Sequence, residues 1–458
     1  MKNNTIVVQI HLDKRVLVIL SFIGLMLASA GVWAEFNSAL EFDNFKDGDI
    51  ISAGEINSNF NRLITNDNQL SDDLQGLAQR LEELEGVANT YAPGEITVAS
   101  GDEEADYDDL TVALAELKMM RVRPGTLTRV RLLPGNHAVP QPIEWGHPDG
   151  RSIELVGERG APANVTIECP EGCFHIHGEV GFGGIDGVTL LGEDGVGIWV
   201  DDGGWTRLGP HPAVVSTLAQ STAPRVVVSG FAVGIAADSG AHITAGPPDL
   251  FLDGNTELAD LRRRVEVRES LYRCLSATAG SSISARGLQA IDCVTTDTPL
   301  PGYSAIYATG TSSINIDASQ RGVAPNTLEL DEIPTHVNSR YVGLQAAQLG
   351  HIQAAEVRIS ASGESATIAA YTSSNAGMGV ARALVESGYS NPIAAHLGSH
   401  MSAFGIQVDI NEPATCFSSW QHSTFYLQDS LCQDENDAIP ESPYNVYEEG
   451  KFIGSCCD

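Results

Sequence analysis

In 458 residues, 26 Lys and Arg stand against 59 Asp and Glu, a formal net charge of −33 at pH 7. That excess of carboxylates argues against nucleic acid or an anionic membrane as a partner, because a phosphate backbone demands basic neutralisation. Gly at 46 residues and aromatics at only 6% fit a turn-rich all-β chain whose core is layered from Ile, Val, Leu and Ala.

The chain opens with Lys14 and Arg15 ahead of the apolar run Val16 to Ala30, the length of a signal-peptide core and short for a spanning helix. Small residues at Ala28, Ala30, Val32 and Ala34 offer cleavage after Ala30 or Ala34. Residues 1–34 are therefore expected to be a signal peptide, with export and no stable membrane insertion after cleavage; an uncleaved anchor is the alternative. Eight Cys then enter an oxidising space where pairing is the default. Cys169 and Cys173 bracket a tight loop, and Cys416 has Cys432 within reach. Cys274 and Cys293 are 19 residues apart, close to one coil of a solenoid, so a bond between stacked coils about 4.8 Å apart fits them. The partners of Cys456 and Cys457 are not readable, and zinc is disfavoured by the lack of paired C-x₂-C spacing.

Residues 35–90 form an N-terminal segment and coiled coil. From Ile56, the positions Phe60, Leu63, Asp67, Leu70, Leu74, Leu77, Leu81, Leu84 and Ala88 alternate spacings of four and three, a heptad seam that must self-associate to bury its stripe. The entry from Phe45 to Phe60, with Gly48, Ile51, Ser52, Ala53 and Asn57, resembles that found before trimeric stalks in tail-fibre-like and secreted bacterial proteins. The resemblance implies a homotrimer. Residues 91–105, with Pro93 and Gly94, lose the heptad and read as a linker.

Asp106 or Asp108 can cap a helix with apolar face Leu110, Ala113, Leu114 and Leu117. Strands follow. A short helix leading into Val130, Leu132, Pro134, Gly135 and then Ile153, Leu155, Gly157 resembles the entry of pectin-lyase-like, right-handed parallel β-helix proteins, whose first coil has an open edge to cover. The body is expected over 106–411. Strands recur as SIELVGE, CFHIHGE, GVTLLGE and VVVSGF, and Gly157-Glu158 to Gly178-Glu179, 21 residues, reads as about one coil. Insertions at 201–225 and 246–273 interrupt the rhythm at corners, where solenoids bind ligands.

From 235 onward one pattern dominates. Small or aliphatic residues fall at Leu344, Ala346, Leu349, Ile352 and Ala354, offsets zero, two, five, eight and ten, and the same offsets recur from Ile235, Leu275, Ile306 and Ile393. Each copy reads as two short strands joined by a corner at the third of these positions, and units that small must stack. Offset seven carries His242, Ser282, Ser313, His351 and His400. It should face outward, and the interruption by Ser favours a polar surface row over a metal site. The tail 412–458, with Pro413, Trp420 and four Cys, abandons the pattern and is expected to be a Cys-containing C-terminal cap.

The resemblance leaves chemistry open, since such folds serve polysaccharide lyases, glycoside hydrolases, tailspikes and non-catalytic adhesins. Asp186, Glu193, Asp194, Asp201 and Asp202 make an acidic cluster in sequence, near His175 and His177, which share a strand face. They are weak candidates for a base or an ion site of a lyase, which would use calcium; no metal centre is assigned from sequence. Arg273 closes a group with Arg262, Arg263, Arg264 and Arg268, for which pairing with neighbouring acids is the simpler reading. Trp199 and Trp205 flank the Asp201-Asp202 loop, with Trp145 upstream, as candidate sugar platforms. Hydrolase motifs are thin: Asn315-Ile-Asp317 matches N-x-D and Arg358-Ile359 lacks a following Lys, with no G-H-G anywhere.

The sequence thus implies a secreted, all-β chain: a right-handed parallel β-helix of roughly ten coils behind a short α-helical coiled-coil stalk. Its expected role is a non-catalytic, adhesin-like surface module presenting loops for glycan or cell-surface binding, requiring no cofactor. The alternative is a polysaccharide lyase or glycoside hydrolase working near Trp199 to Trp205. Charged side chains converging on one open face favour the enzyme, whereas loops scattered over several faces favour the surface module.

Overall fold

The structure is a computed structural model and describes residues 91–455 apart from 102–103, 179, 214–224, 246–264, 297–302, 317–334, 363–366, 387, 411–415, 429, 435–443 and 448–450, together with the helical positions Ser58, Asn61, Thr65, Gln69 and Gly76. The chain divides into two units, Met1–Glu85 and Gly86–Asp458. The signal peptide, the heptad seam, Arg262 to Arg264, Cys456 and Cys457 lie outside the described residues. Among the described residues no helix is long and apolar enough to cross a membrane.

The second unit is a parallel β-helix. Among the described residues its strands form two sheets of eleven strands, one of nine and one of four, and the strands of each sheet pair in parallel, each hydrogen-bonded to its equivalents in neighbouring coils. Parallel sheets buried on one face favour Ile, Val and Leu, and here Ile198, Ile235, Leu275, Ile306 and Leu344 stack in one register, each less than 1% exposed. The five copies read from sequence belong to a longer run. The same register admits Phe174 with Ile176 and Ile198 with Val200 upstream, Ala370 with Thr372 between the fourth and fifth copies, and Phe417 with Ser419 followed by Tyr444 with Val446 beyond them. The interrupted copies escape a search for strict offsets because Thr372 and Ser419 are polar yet buried.

The corner carries the repeat's second signature. At Asp202-Gly203, Ser239-Gly240, Ala279-Gly280, Gly310-Thr311, Gln348-Leu349, Ser374-Asn375, Leu397-Gly398 and Gln421-His422, both residues have positive φ. Two successive left-handed residues reverse the chain within one step, and only Gly does this without a Cβ clash. Leu349 does it at φ 68° while 58% exposed, so it packs nothing in return for the strain. The residue after the corner is a buried Ser in four coils. Ser281 Oγ donates to the Ala237 carbonyl of the previous coil at 2.7 Å and accepts from Thr278 N at 3.1 Å; Ser399 and Ser423 repeat both bonds, and Ser312 does so as well. Offset six is silent to an apolar pattern, which is why the sequence reading passes over this hydroxyl.

Among the described residues, three disulfides tie down the other end of the same strand, away from the left-handed corner. Cys173, Cys274 and Cys416 each immediately precede an offset-zero residue, Phe174, Leu275 and Phe417, which stack in register. They bond Cys169, Cys293 and Cys432, with Cα separations of 5.0, 5.7 and 6.2 Å. Cys274 and Cys293 therefore link two sheets around a single coil, not two stacked coils as their spacing suggests.

Four boundaries change. Glu95–Val98 pairs with Thr128–Leu132, so the stretch read as a linker supplies the first strand of the solenoid. The helix, α1, spans Leu110–Lys118 and buries Leu110, Ala113, Leu114 and Leu117 as expected, but its N-cap is Asp109, whose carboxylate accepts from Thr111 N at 2.6 Å and Val112 N at 3.3 Å. Phe417–Trp420, Thr424–Gln428, Leu431–Asp434, Tyr444–Tyr447 and Lys451–Ser455 extend the three long sheets, so the tail continues the solenoid where a cap was expected. Finally, Ile153–Val156 and Phe174–His177 belong to different sheets; the 21-residue spacing between their Gly-Glu ends is not a coil repeat. The coil equivalent of His175 is Trp199.

Relief of the corner strain is measurable. Leu349→Gly should raise unfolding stability by about 1 kcal/mol, and Gly240→Ala, whose added Cβ meets nothing within 4 Å, should lower it by about the same amount; chemical denaturation of the pair reads both signs. Ser281→Ala should cost about 1 kcal/mol by loss of the inter-coil bond, visible as a shift in the denaturation midpoint at unchanged slope.

Candidate functional site

Alternation along a strand sends neighbouring side chains to opposite faces. In Phe174–His177 the core takes Phe174 and Ile176, so His175 and His177 must project outward; in Val196–Asp201 it takes Ile198 and Val200, leaving Trp199 and Asp201 outside. The register then sets Trp199 beside His175 and Asp201 beside His177, with Glu144 of the preceding coil on the other side of His175. A row of ionisable groups results on one open face.

His175 sits at its centre. Its Nδ1 lies 2.9 Å from Glu144 Oε1 and its Nε2 3.0 Å from Asp201 Oδ2, so with both carboxylates ionised both ring nitrogens donate. Burial is the strongest single influence on this imidazole and favours its neutral form, yet the hydrogen bonds to Asp201 and Glu144 together carry its pKa above the ordinary histidine value. The other Asp201 oxygen, Oδ1, lies 2.8 Å from His177 Nδ1, and His177 Nε2 is 3.2 Å from Asp202 Oδ2. Asp202 reaches back because it holds the first left-handed position of the corner, at φ 48°. Trp199 stacks on the His175 ring, centroids 4.3 Å apart and planes 14° off parallel, and remains 37% exposed. Asp201 is the sheltered member, its side chain 13% exposed against 56% for Asp202 and 67% for Glu144.

Of the residues singled out from sequence, His175, His177, Asp201, Asp202 and Trp199 come together. Glu144 was missed: coils of unequal length hide from sequence which residue 31 positions upstream lies beside His175. The remaining candidates fall elsewhere. Trp145 is 2% exposed and stacks on Phe182 at 5.0 Å, which makes it a core ring and removes it as a platform. Trp205 starts a strand of a different sheet, near Arg151 at 5.3 Å and Arg207 at 6.0 Å, so the corner at Asp202-Gly203 turns it away from Trp199. Asp186 leaves the acidic cluster altogether. It is fully buried with Glu154, clamped by Arg159 at 2.8 and 2.6 Å respectively and approached by Arg225 at 3.4 Å; burial pushes its carboxyl up against the pull of both arginines. Glu193 and Asp194 lie at an exposed turn.

Arg273 shares the sheet of His175 but starts the strand two coils beyond Trp199. Its guanidinium lies over the Tyr307 ring at 3.9 Å and burial lowers its pKa, while Arg268 pairs with Glu266 at 3.4 Å. The outward row at offset seven is as expected, with His242, Ser282, Ser313 and His351 in register and His351 and His400 exposed.

No family model and no curated protein sequence matches the chain. Three solved structures match in outline. The crystal structure of the Agl-KA catalytic domain is 10% identical with a TM-score of 0.38, covering 81% of this chain and 70% of that one. Catalytic domains of GH87 α-1,3-glucanase, one in complex with tetrasaccharides and one with nigerose, are 9% and 10% identical with TM-scores of 0.25 and 0.23, each covering 79% of this chain and 69% of theirs.

Proposed function

We propose that the face built by Glu144, His175, Trp199 and Asp201 binds an extracellular, uncharged polysaccharide and hydrolyses it. The observation that supports this reading is the convergence itself: four ionisable groups from three neighbouring strands of one sheet, joined by Asp202 from the corner, meet beside one exposed tryptophan. An aromatic ring open to solvent on a rigid sheet is a stacking platform for a sugar. Glu144 and Asp201 bring two carboxylates to that face, each hydrogen-bonded to the His175 imidazole, at 2.9 and 3.0 Å, and a glycosidase works with a pair of carboxyl groups. A net charge of −33 disfavours polyuronates, which a lyase would need. Arg273, the candidate lyase base, is turned onto Tyr307 two coils away.

The adhesin-like reading expected from sequence remains the second one, because Asp201 is already engaged by two imidazoles and the same face could hold a glycan without breaking it. A panel of neutral polysaccharides separates the two by affinity electrophoresis and reducing-end release. Cleavage is expected, abolished in Asp201→Asn with binding retained, and Trp199→Ala should weaken binding about ten-fold. Binding with no new reducing ends would establish the surface module; neither binding nor cleavage across the panel would overturn both.

A further inference from the structure

We infer that His175, His177 and Asp201 form a binding site for a divalent transition-metal ion of the zinc class. One ligand atom from each of His175, His177 and Asp201 lies within 4.8 Å of the other two, and His175 Nε2 and His177 Nδ1 are the nitrogens turned to the Asp201 carboxylate, at 3.0 and 2.8 Å. A tetrahedral ion with bonds of about 2.0–2.2 Å holds its ligand atoms about 3.4 Å apart, so side-chain shifts suffice to close the site on an ion. The inference shares His175 and Asp201 with the proposed glycan face but does not rest on it, since ion binding is read with no glycan present.

A second feature distinguishes this cluster from three polar residues meeting by chance. The two imidazoles turn one nitrogen each toward Asp201, and each offers its other nitrogen to a separate carboxylate: His175 Nδ1 to Glu144 at 2.9 Å, His177 Nε2 to Asp202 at 3.2 Å. Metal-binding histidines are oriented in this way, with an outer carboxylate fixing the tautomer and the ring plane. Trp199, stacked at 4.3 Å, further holds the His175 ring. Three protein ligands on adjacent strands leave the fourth position of a tetrahedron toward solvent, on the side where His177 is 60% exposed; such an open position is the mark of a site that binds a further ligand. Two nitrogens and one carboxylate suit zinc and its neighbours. Calcium, which takes six to eight oxygens, is the wrong ion for this set, although it was the ion expected for a lyase.

The test uses the full chain stripped of metal and titrated with Zn²⁺, Co²⁺ and Ca²⁺ in the absence of any glycan. One Zn²⁺ per chain should bind by calorimetry, Ca²⁺ should not compete, and the Co²⁺ form should show a visible spectrum of nitrogen and oxygen ligands without a thiolate charge-transfer band, which excludes the terminal cysteines. His177→Ala and Asp201→Asn should each weaken Zn²⁺ binding at least 100-fold, and Glu144→Gln about 10-fold, while His351→Ala on the outward row of another sheet should leave it unchanged. Circular dichroism of each variant separates lost ligation from lost folding, and His177, being exposed, is the variant least able to disturb the core. No ion bound, binding indifferent to His177→Ala, or a thiolate band would each overturn the inference. Loss of polysaccharide binding with Zn²⁺ binding intact would overturn the proposed function alone.

Discussion

The central row of the solenoid runs through Ile198, Ile235, Leu275, Ile306 and Leu344, one residue from each of five successive coils, held at the strand spacing of about 4.8 Å by hydrogen bonds from the coils on either side. No coil can bury that residue alone, because one turn of chain has no interior. Stacking in register is therefore the constraint from which the rest follows. It dictates that equivalent corners superimpose, that each corner reverses through two left-handed residues, and that polar atoms left at the corner find a partner in the coil before. The buried serines at 281, 312, 399 and 423 supply that partner, and three disulfides anchor the other end of the strand through Cys173, Cys274 and Cys416, which share one position in the repeat.

The same constraint makes the candidate site. Once Phe174, Ile176, Ile198 and Val200 are committed to the core, the intervening residues have no choice of side. His175 and His177 lie against Trp199 and Asp201 because their strands pair without slippage; a shift of one residue would bury the histidines and expose the aliphatics. The rigidity of the sheet then holds Glu144, His175, His177 and Asp201 where loops would let them drift apart. Asp202 is the exception that depends on the corner: its left-handed backbone, strained for a residue with a side chain, is what returns its carboxylate to His177.

The fully buried Glu154 and Asp186 offer a contrast. Their charge is met by Arg159 and Arg225 inside the fold, which makes them a structural ion-pair network, whereas the outer row meets its charge with imidazoles and stays open to solvent. Two acidic groups close in sequence, Asp186 and Asp201, thus end in opposite circumstances because they fall on different sheets.

Sequence alone determined the stacking class, the apolar face of α1 and the outward row of His and Ser, since strand alternation and helical periodicity act between residues a few positions apart. It also brought out His175, His177, Asp201, Asp202 and Trp199, though without saying that they meet. Only the tertiary structure decided that Glu144 joins them, that Trp145, Trp205, Asp186 and Arg273 do not, and that the strands run on from Glu95 through to Ser455. The reason is coil length. A repeat of fixed length would reveal its vertical neighbours by arithmetic, but insertions at the corners make the number of residues per coil vary, so which residues lie one above another is set by hydrogen-bond register between coils and not by distance along the chain.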